Sequence, residues 1–187
     1  MAWTAAEGSS IFRAWMEFAL TGDQNWGGSW GTVAGPNADR FRVAIFDDTP
    51  TPAKEVLAAA ACYNQGEWDT GEVDDTGGTD DNWPNGGVVL ANVRVVRGIG
   101  YANPALPSGP AELFPLTMFA NNTTNNDDGA GTVTLDNVHG DLVYQFDPPT
   151  APVGLGAAFH YFGGPNQVTA GTFTIIWHTL GTMVQVV

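Results

Sequence analysis

Few side chains in this sequence have the type and spacing to do chemistry. His139, His160 and His178 are its 3 histidines, and Cys62 and Lys54 stand alone as the single cysteine and lysine. No two histidines have the i, i+4 spacing that puts paired zinc ligands on one helix face. His160 and His178 fall in segments that read as strands able to pair, which would bring two imidazoles together. Ordinary hydrogen-bonded sheet histidines are the simpler reading. Gly27-Gly-Ser29-Trp-Gly31 matches the G-x-S-x-G pattern of a nucleophile elbow. That elbow needs a strand before it and a helix after it. Here Asp23-Gln-Asn-Trp precedes and Val33-Ala-Gly-Pro36 follows, and neither supplies the element.

The 20 acidic residues raise two further chemistries. Calcium prefers carboxylates and loop carbonyls, but Asp69-Thr-Gly-Glu-Val-Asp-Asp75 lacks the 1, 3, 5 ligand alternation with glycine at position 6. Glycoside hydrolysis needs two acids at a set separation, and so many carboxylates meet that distance by chance. The tryptophans could instead stack on sugars or be buried at subunit contacts. Trp15 and Trp177 lie on apolar faces and read as core, while Trp3, Trp26, Trp30, Trp68 and Trp83 read as loop residues available for contact. No catalytic residue, cofactor site or metal site is expected from these patterns.

Charge narrows the partners. The formal net charge is −14, and apart from Lys54 the cations are Arg13, Arg40, Arg42, Arg94 and Arg97. Phosphate backbones and anionic lipid surfaces recruit clustered Lys and Arg, so neither nucleic acid nor membrane is an expected partner. A single cysteine excludes an internal disulfide, and its alanine neighbours suit a small buried residue. The first residues lack the basic start and apolar run of a signal peptide, and no stretch is long enough to span a bilayer. The chain reads as soluble and made in a reducing cytoplasm.

The elements that must carry these residues are mostly strands. With 43% hydrophobic residues the chain can bury a core, and its 24 glycines and 12 prolines favour turns. Ser9 or Ser10 could cap a helix to about Leu20, with Ile11, Phe12, Trp15, Phe18 and Ala19 as its apolar stripe. Phe41–Phe46 alternates as a strand and stops at Asp47-Asp-Thr-Pro-Thr-Pro52. Residues 53–63 read as a second, alanine-rich helix. Residues 64–87 are acidic, lack a hydrophobic period and read as a solvated loop. Further strands are expected at 86–96, 112–119, 131–137, 141–146, 155–162, 168–178 and 182–187, with Gly163-Gly-Pro165 as a turn between two of them. The whole is one all-β domain over 1–187, a β-sandwich or jelly roll with a helical segment at 1–22 and the acidic surface loop at 64–87.

Several pieces, in order, carry a resemblance. They are Phe12 to Leu20 with Gly22 and Trp26, then Phe41-Arg-Val-Ala-Ile-Phe-Asp-Asp-Thr-Pro-Thr-Pro52 and Tyr63-Asn-Gln-Gly-Glu-Trp68. Gly86-Gly-Val-Val-Leu-Ala-Asn92, Gly131-Thr-Val-Thr-Leu-Asp-Asn137, Asp141-Leu-Val-Tyr-Gln-Phe-Asp147 and Gly171-Thr-Phe-Thr-Ile-Ile-Trp177 follow. Together they resemble a family of tailed-bacteriophage virion proteins related to capsid decoration or minor structural proteins. That resemblance implies a β-sandwich or jelly-roll module preceded by a helix, assembled on the virion without catalytic residues. The acidic insertion at 69–81 and the loop at 98–110 depart from it. The expected partners are a major capsid protein and copies of the chain itself, as a homotrimer on the outer surface of the head. A tail or head-fibre protein that binds host glycans is the alternative. Ile11, Phe12, Trp15 and Phe18 are the first candidates for contact, followed by Trp26, Trp30 and Trp68.

Overall fold

Phe41–Phe46 buries nearly its whole length, and the main sheet is built around it. The computed structural model describes residues 3, 8–21, 41–74, 83–90, 94–99, 113–119, 123–124, 132–146, 153–177 and 182–185. In chain order the elements are β1 (Ser10–Ile11), α1 (Arg13–Thr21), β2 (Phe41–Phe46), a 3-10 turn (Gly66–Trp68), β3 (Glu72–Val73) and β4 (Val88–Val89). After them come β5 (Arg94–Ile99), β6 (Leu113–Phe119), β7 (Thr123–Thr124), β8 (Val133–Gln145), β9 (Leu155–Gly171), β10 (Thr174–Ile175) and β11 (Thr182–Gln185). The fold is all-β, with one short α-helix among the described residues. The main sheet runs β1-β9-β8-β2-β3, with β4 also on β2. Two smaller sheets, β11-β6-β5 and β10-β7, account for the other strands among the described residues.

All the main-sheet pairs are antiparallel, and β2 lies opposite β8 from Phe41↔Gln145 to Phe46↔Gly140. Directly opposed residues share a face. One face therefore carries Arg42, Ala44 and Phe46 with Leu142, Tyr144 and Phe159. The other carries Val43 and Ile45 with Asp141, Val143, Ala158 and His160. On the first face, Trp68 packs edge-on against Phe46 at 5.0 Å, Trp3 at 5.7 Å and Phe12 at 6.1 Å. Such edge-to-face pairs add to the burial of the rings themselves.

Three expectations change here. The helix begins at Arg13, because Ser10 and Ile11 are drawn into β1 against Phe159 and Ala158. Ser9 caps nothing on the helix; its hydroxyl accepts a bond from the Tyr161 amide. Residues 53–63 form successive turns in place of a second helix. Cys62 bridges to Leu155, the Tyr63 amide donates to the Gly154 carbonyl and the Gly156 amide to that of Ala61, so sheet pairing overrides alanine's helix preference. The predicted strands at 131–137 and 141–146 are one strand, β8, and 155–162 continues past Gly163-Gly-Pro165 as β9.

The fusion has a local cause. Between Gly140↔Tyr161 and Val138↔Asn166, β8 has only His139 while β9 spends Phe162 to Pro165. Gly163 (φ 88) and Gly164 (φ 131) take the backbone out of the ladder, and the strand then rejoins the same partner. Asn137, with φ 57, makes the compensating bulge on β8. A sequence reads such an excursion as a turn because both use the same residues.

The acidic segment is also better anchored than its composition suggests. Trp68 and Trp83 are buried in the core, and Glu72 is fixed in β3 beside Phe46. Asp75 to Asn82 lie outside the described residues.

Candidate functional site

Three features hold the polar groups that could serve a function. The first lies on the apolar face of the sheet. Asp141 is 0% exposed, directly opposite Ile45, and its Oδ1 is 2.6 Å from Nδ1 of His160 across the β8–β9 ladder. The other oxygen, Oδ2, is buried without a hydrogen-bond partner. Burial pushes the Asp141 carboxyl above its ordinary value, and the neighbouring imidazole opposes that rise. The ring of Trp177 meets the imidazole at 5.6 Å and 61°. A carboxylate holding an imidazole is the orienting half of an acid–base constellation. A hydrolase would add a nucleophile, and Ser29 lies outside the described residues.

The second feature sits on the opposite face, at the junction of β2, β3 and β8. The Tyr63 hydroxyl donates to Glu72 Oε2 at 2.6 Å, and the Gly86 amide donates to Glu72 Oε1 at 2.7 Å. Tyr144 donates to the Gly86 carbonyl at 2.6 Å and stacks on Tyr63 at 4.6 Å and 7°. Burial raises the Glu72 carboxyl, while its two donors pull it back. Burial likewise pushes Tyr144 up to about 12. This network ties the ends of the acidic segment to the sheet, and each polar atom named has a partner inside the chain. It is a clamp.

The third feature is the distal half of the β8–β9 hairpin. β2 covers β8 only from Gly140 to Gln145, and β1 touches β9 only at Ala158 and Phe159. Beyond them Val133, Leu135 and Val138 turn inward and are buried. The outward positions Thr132, Thr134, Pro165, Asn166, Gln167 and Thr169 are exposed and uncharged, with Asp136 the exception. Residues 148–187 contain no Asp, Glu, Lys or Arg, so the whole net charge of −14 belongs to residues 1–147. Interface cores are depleted of charge in the same way.

The residues expected to make contacts fall differently. Phe12, Trp15 and Trp68 are buried in the chain's own core, and Ile11 is half-buried in β1. Phe18 lies in α1, though its side chain is outside the described set, as are Trp26 and Trp30 entirely. Trp3 and Trp83, read from sequence as contact residues, are buried too. A large indole in an irregular segment gains more from closing over the sheet than from staying in water. These three loop tryptophans therefore present no sugar-stacking surface. Cys62 is buried as its neighbours suggested, with its thiol on the Ala58 carbonyl at 3.0 Å. His160 does gain a partner, but it is Asp141; His178 lies outside the described residues.

Comparison with protein families, curated proteins and solved structures finds no match.

Sequence reasoning missed Asp141 and the hairpin. Asp141 was hidden in a strand that alternates normally, where an acid at a core position is the one available signal. The hairpin was visible as a 40-residue terminus free of Asp, Glu, Lys and Arg in a strongly acidic chain. Among the described residues no group of three His, Cys, Asp or Glu could hold a metal, and no helix is long and apolar enough to cross a membrane.

Proposed function

We propose that this chain is a structural subunit that works by binding other subunits, and that the distal β8–β9 hairpin is its contact surface. The single observation that carries this reading is the separation of charge from surface. A chain of net charge −14 keeps 40 consecutive residues free of Asp, Glu, Lys and Arg, and these include an exposed hairpin strand. Like-charged subunits repel one another. They can touch closely only where charge is missing.

The order of structural motifs in the sequence favours one setting for such a subunit, the outside of a tailed-phage head. There it acts as a decoration or cement protein, joined to the major capsid protein and to copies of itself as a homotrimer. The acidic body suits the outer surface, because the inner one faces packaged DNA. Apolar and uncharged polar surface buried across joints between shell subunits stabilises them at about 25 cal/mol per Å2 of apolar area. Repetition over many copies multiplies the effect through avidity. In a sandwich or jelly roll the β5–β6–β11 sheet would be the second layer.

Side-chain contact, not strand addition, is the mode of binding in this reading. The outer edge of β9 carries Pro165 and backbone excursions at Gly163, Gly164 and Ala170, which guard an edge against pairing with another strand.

Two measurements test the proposal. Quantitative mass spectrometry of purified virions counts copies per particle; hundreds mean a shell component, and a dozen or fewer mean tail or portal. Thr169→Glu should leave unfolding of the isolated chain within about 0.5 kcal/mol of the parent. It should also abolish self-association or particle attachment. An unchanged association constant for that variant would remove the hairpin from the interface.

A further inference from the structure

We propose that Asp141 and His160 hold one proton between them, and that this shared proton latches the segment ending at Trp177 onto the sheet. The latch would open toward alkaline pH.

Apolar side chains surround the Asp141 carboxyl. β2 offers Val43 and Ile45 on that face, β3 offers Val73 opposite Ile45, β8 adds Val143 and β9 adds Ala158. Buried Trp177 reaches the same face, where its ring meets that of His160. Among the described residues, His160 is the one charged or titratable side chain that acts on Asp141. An ionised carboxylate with a neutral imidazole would leave a net negative charge in this apolar layer. With a shared proton the pair is neutral as a unit, whether written as carboxylate–imidazolium or as acid–imidazole. The orphaned Oδ2 adds to the case, because a full charge on a carboxylate with one unsolvated oxygen is costly.

Trp177 connects the proton to the fold. Its indole meets the His160 ring at 5.6 Å, and imidazolium character is attracted to an aromatic ring. Removing the proton puts net negative charge beneath that ring, and the attraction is lost.

The sign follows from the direction of the shift. Burial raises the Asp141 carboxyl, so the folded chain binds a proton more tightly than the unfolded one. For the pair as a unit, the unfolded chain still carries one proton on the imidazole up to the ordinary histidine range, so the gain is intact there and falls as pH rises from about 6.5 toward the folded value. Glu67 and Glu72 shift the same way, mainly through burial, so the experiment has to separate them.

Urea unfolding of the intact chain between about pH 5 and about pH 9 should show the unfolding constant rising by up to about tenfold per pH unit over part of the range. Asp141→Asn and His160→Gln should each flatten that rise, while Glu72→Gln keeps it. Identical slopes in the parent and in both latch variants would overturn the proposal. If neither variant folds, imidazole 15N shifts of His160 in the parent decide. A titration step accompanied by a change at the Trp177 ring supports the latch. A constant neutral signature, or a step without change at Trp177, overturns it.

Discussion

Replacing Trp68 with alanine tests whether the aromatic cluster belongs to the chain's own core or to a partner. Trp68 is 1% exposed and lies within 5.0 to 6.1 Å, ring to ring, of Phe46, Trp3, Phe159 and Phe12. Removing a buried ring of this size costs about 3–5 kcal/mol, combining lost transfer energy with the cavity left behind. One term works in the opposite direction: the Trp68 indole nitrogen is buried without a hydrogen-bond partner. Its removal relieves a desolvation cost of about 1–3 kcal/mol, which places the expected loss for Trp68→Ala at about 2 kcal/mol. Trp68→Phe keeps most of the ring contacts and sheds the same orphaned donor, so its loss should be about 1 kcal/mol or less. Urea unfolding of the isolated chain, followed by circular dichroism, measures both. At about 2 kcal/mol per molar of urea, the alanine variant's midpoint should fall by about 1 M. A shift below about 0.3 M would mean that the ring contributes little within the chain, and the packing account of the first sheet face would fail.

Gly87→Ala should be among the most damaging single substitutions. The position has φ +70, and an added Cβ would press on the Val43 carbonyl and lie 2.7 Å from Ala44 Cα, which are backbone atoms of the central strand. A loss of several kcal/mol and a depressed Tm are expected, and calorimetry checks it. Ala170→Gly should act in the opposite direction, by about 0.5 kcal/mol, because an alanine at φ 45 gives up its left-handed strain. Denaturant midpoints measure that gain. Ultraviolet titration should show Tyr144 ionising at about 12, and Tyr63 also raised above the ordinary phenol value. Since folding holds the Tyr144 proton more tightly, its contribution is intact below about pH 10 and disappears as pH rises through its folded value. Coincident ionisation of both tyrosines near the ordinary value would contradict the clamp.

The parts of the fold that could be read in the sequence are those set by side-chain period. Phe41–Phe46 alternates and stops at prolines, and β2 has those same bounds. The apolar alternation of 155–162 likewise gives the first half of β9. Tertiary competition decides what the period does not. Ser10 and Ile11 satisfy a helix-start pattern, yet pairing with β9 gives their backbone a better partner. The alanine run before Cys62 has high helix propensity, but the two backbone hydrogen bonds that bridge Cys62 to Leu155 hold it as turns. Trp68 and Trp83 had no period at all, since burial of a lone indole in a loop leaves no repeating trace. As for the candidate sites, the charge-free terminus was plain in the residue order, whereas the meeting of Asp141 and His160 depends on a strand register that bulges reset.

The net charge of −14 and the uncharged exposed positions of the hairpin affect how copies of the chain approach one another. At low ionic strength two copies should be kept apart by their net charge, and productive encounters should favour orientations that bring the uncharged positions 165–169 together first. Added salt shortens the reach of that repulsion to roughly 8 Å at physiological strength. Encounter between copies should therefore speed up with ionic strength, the reverse of what steering between opposite charges produces.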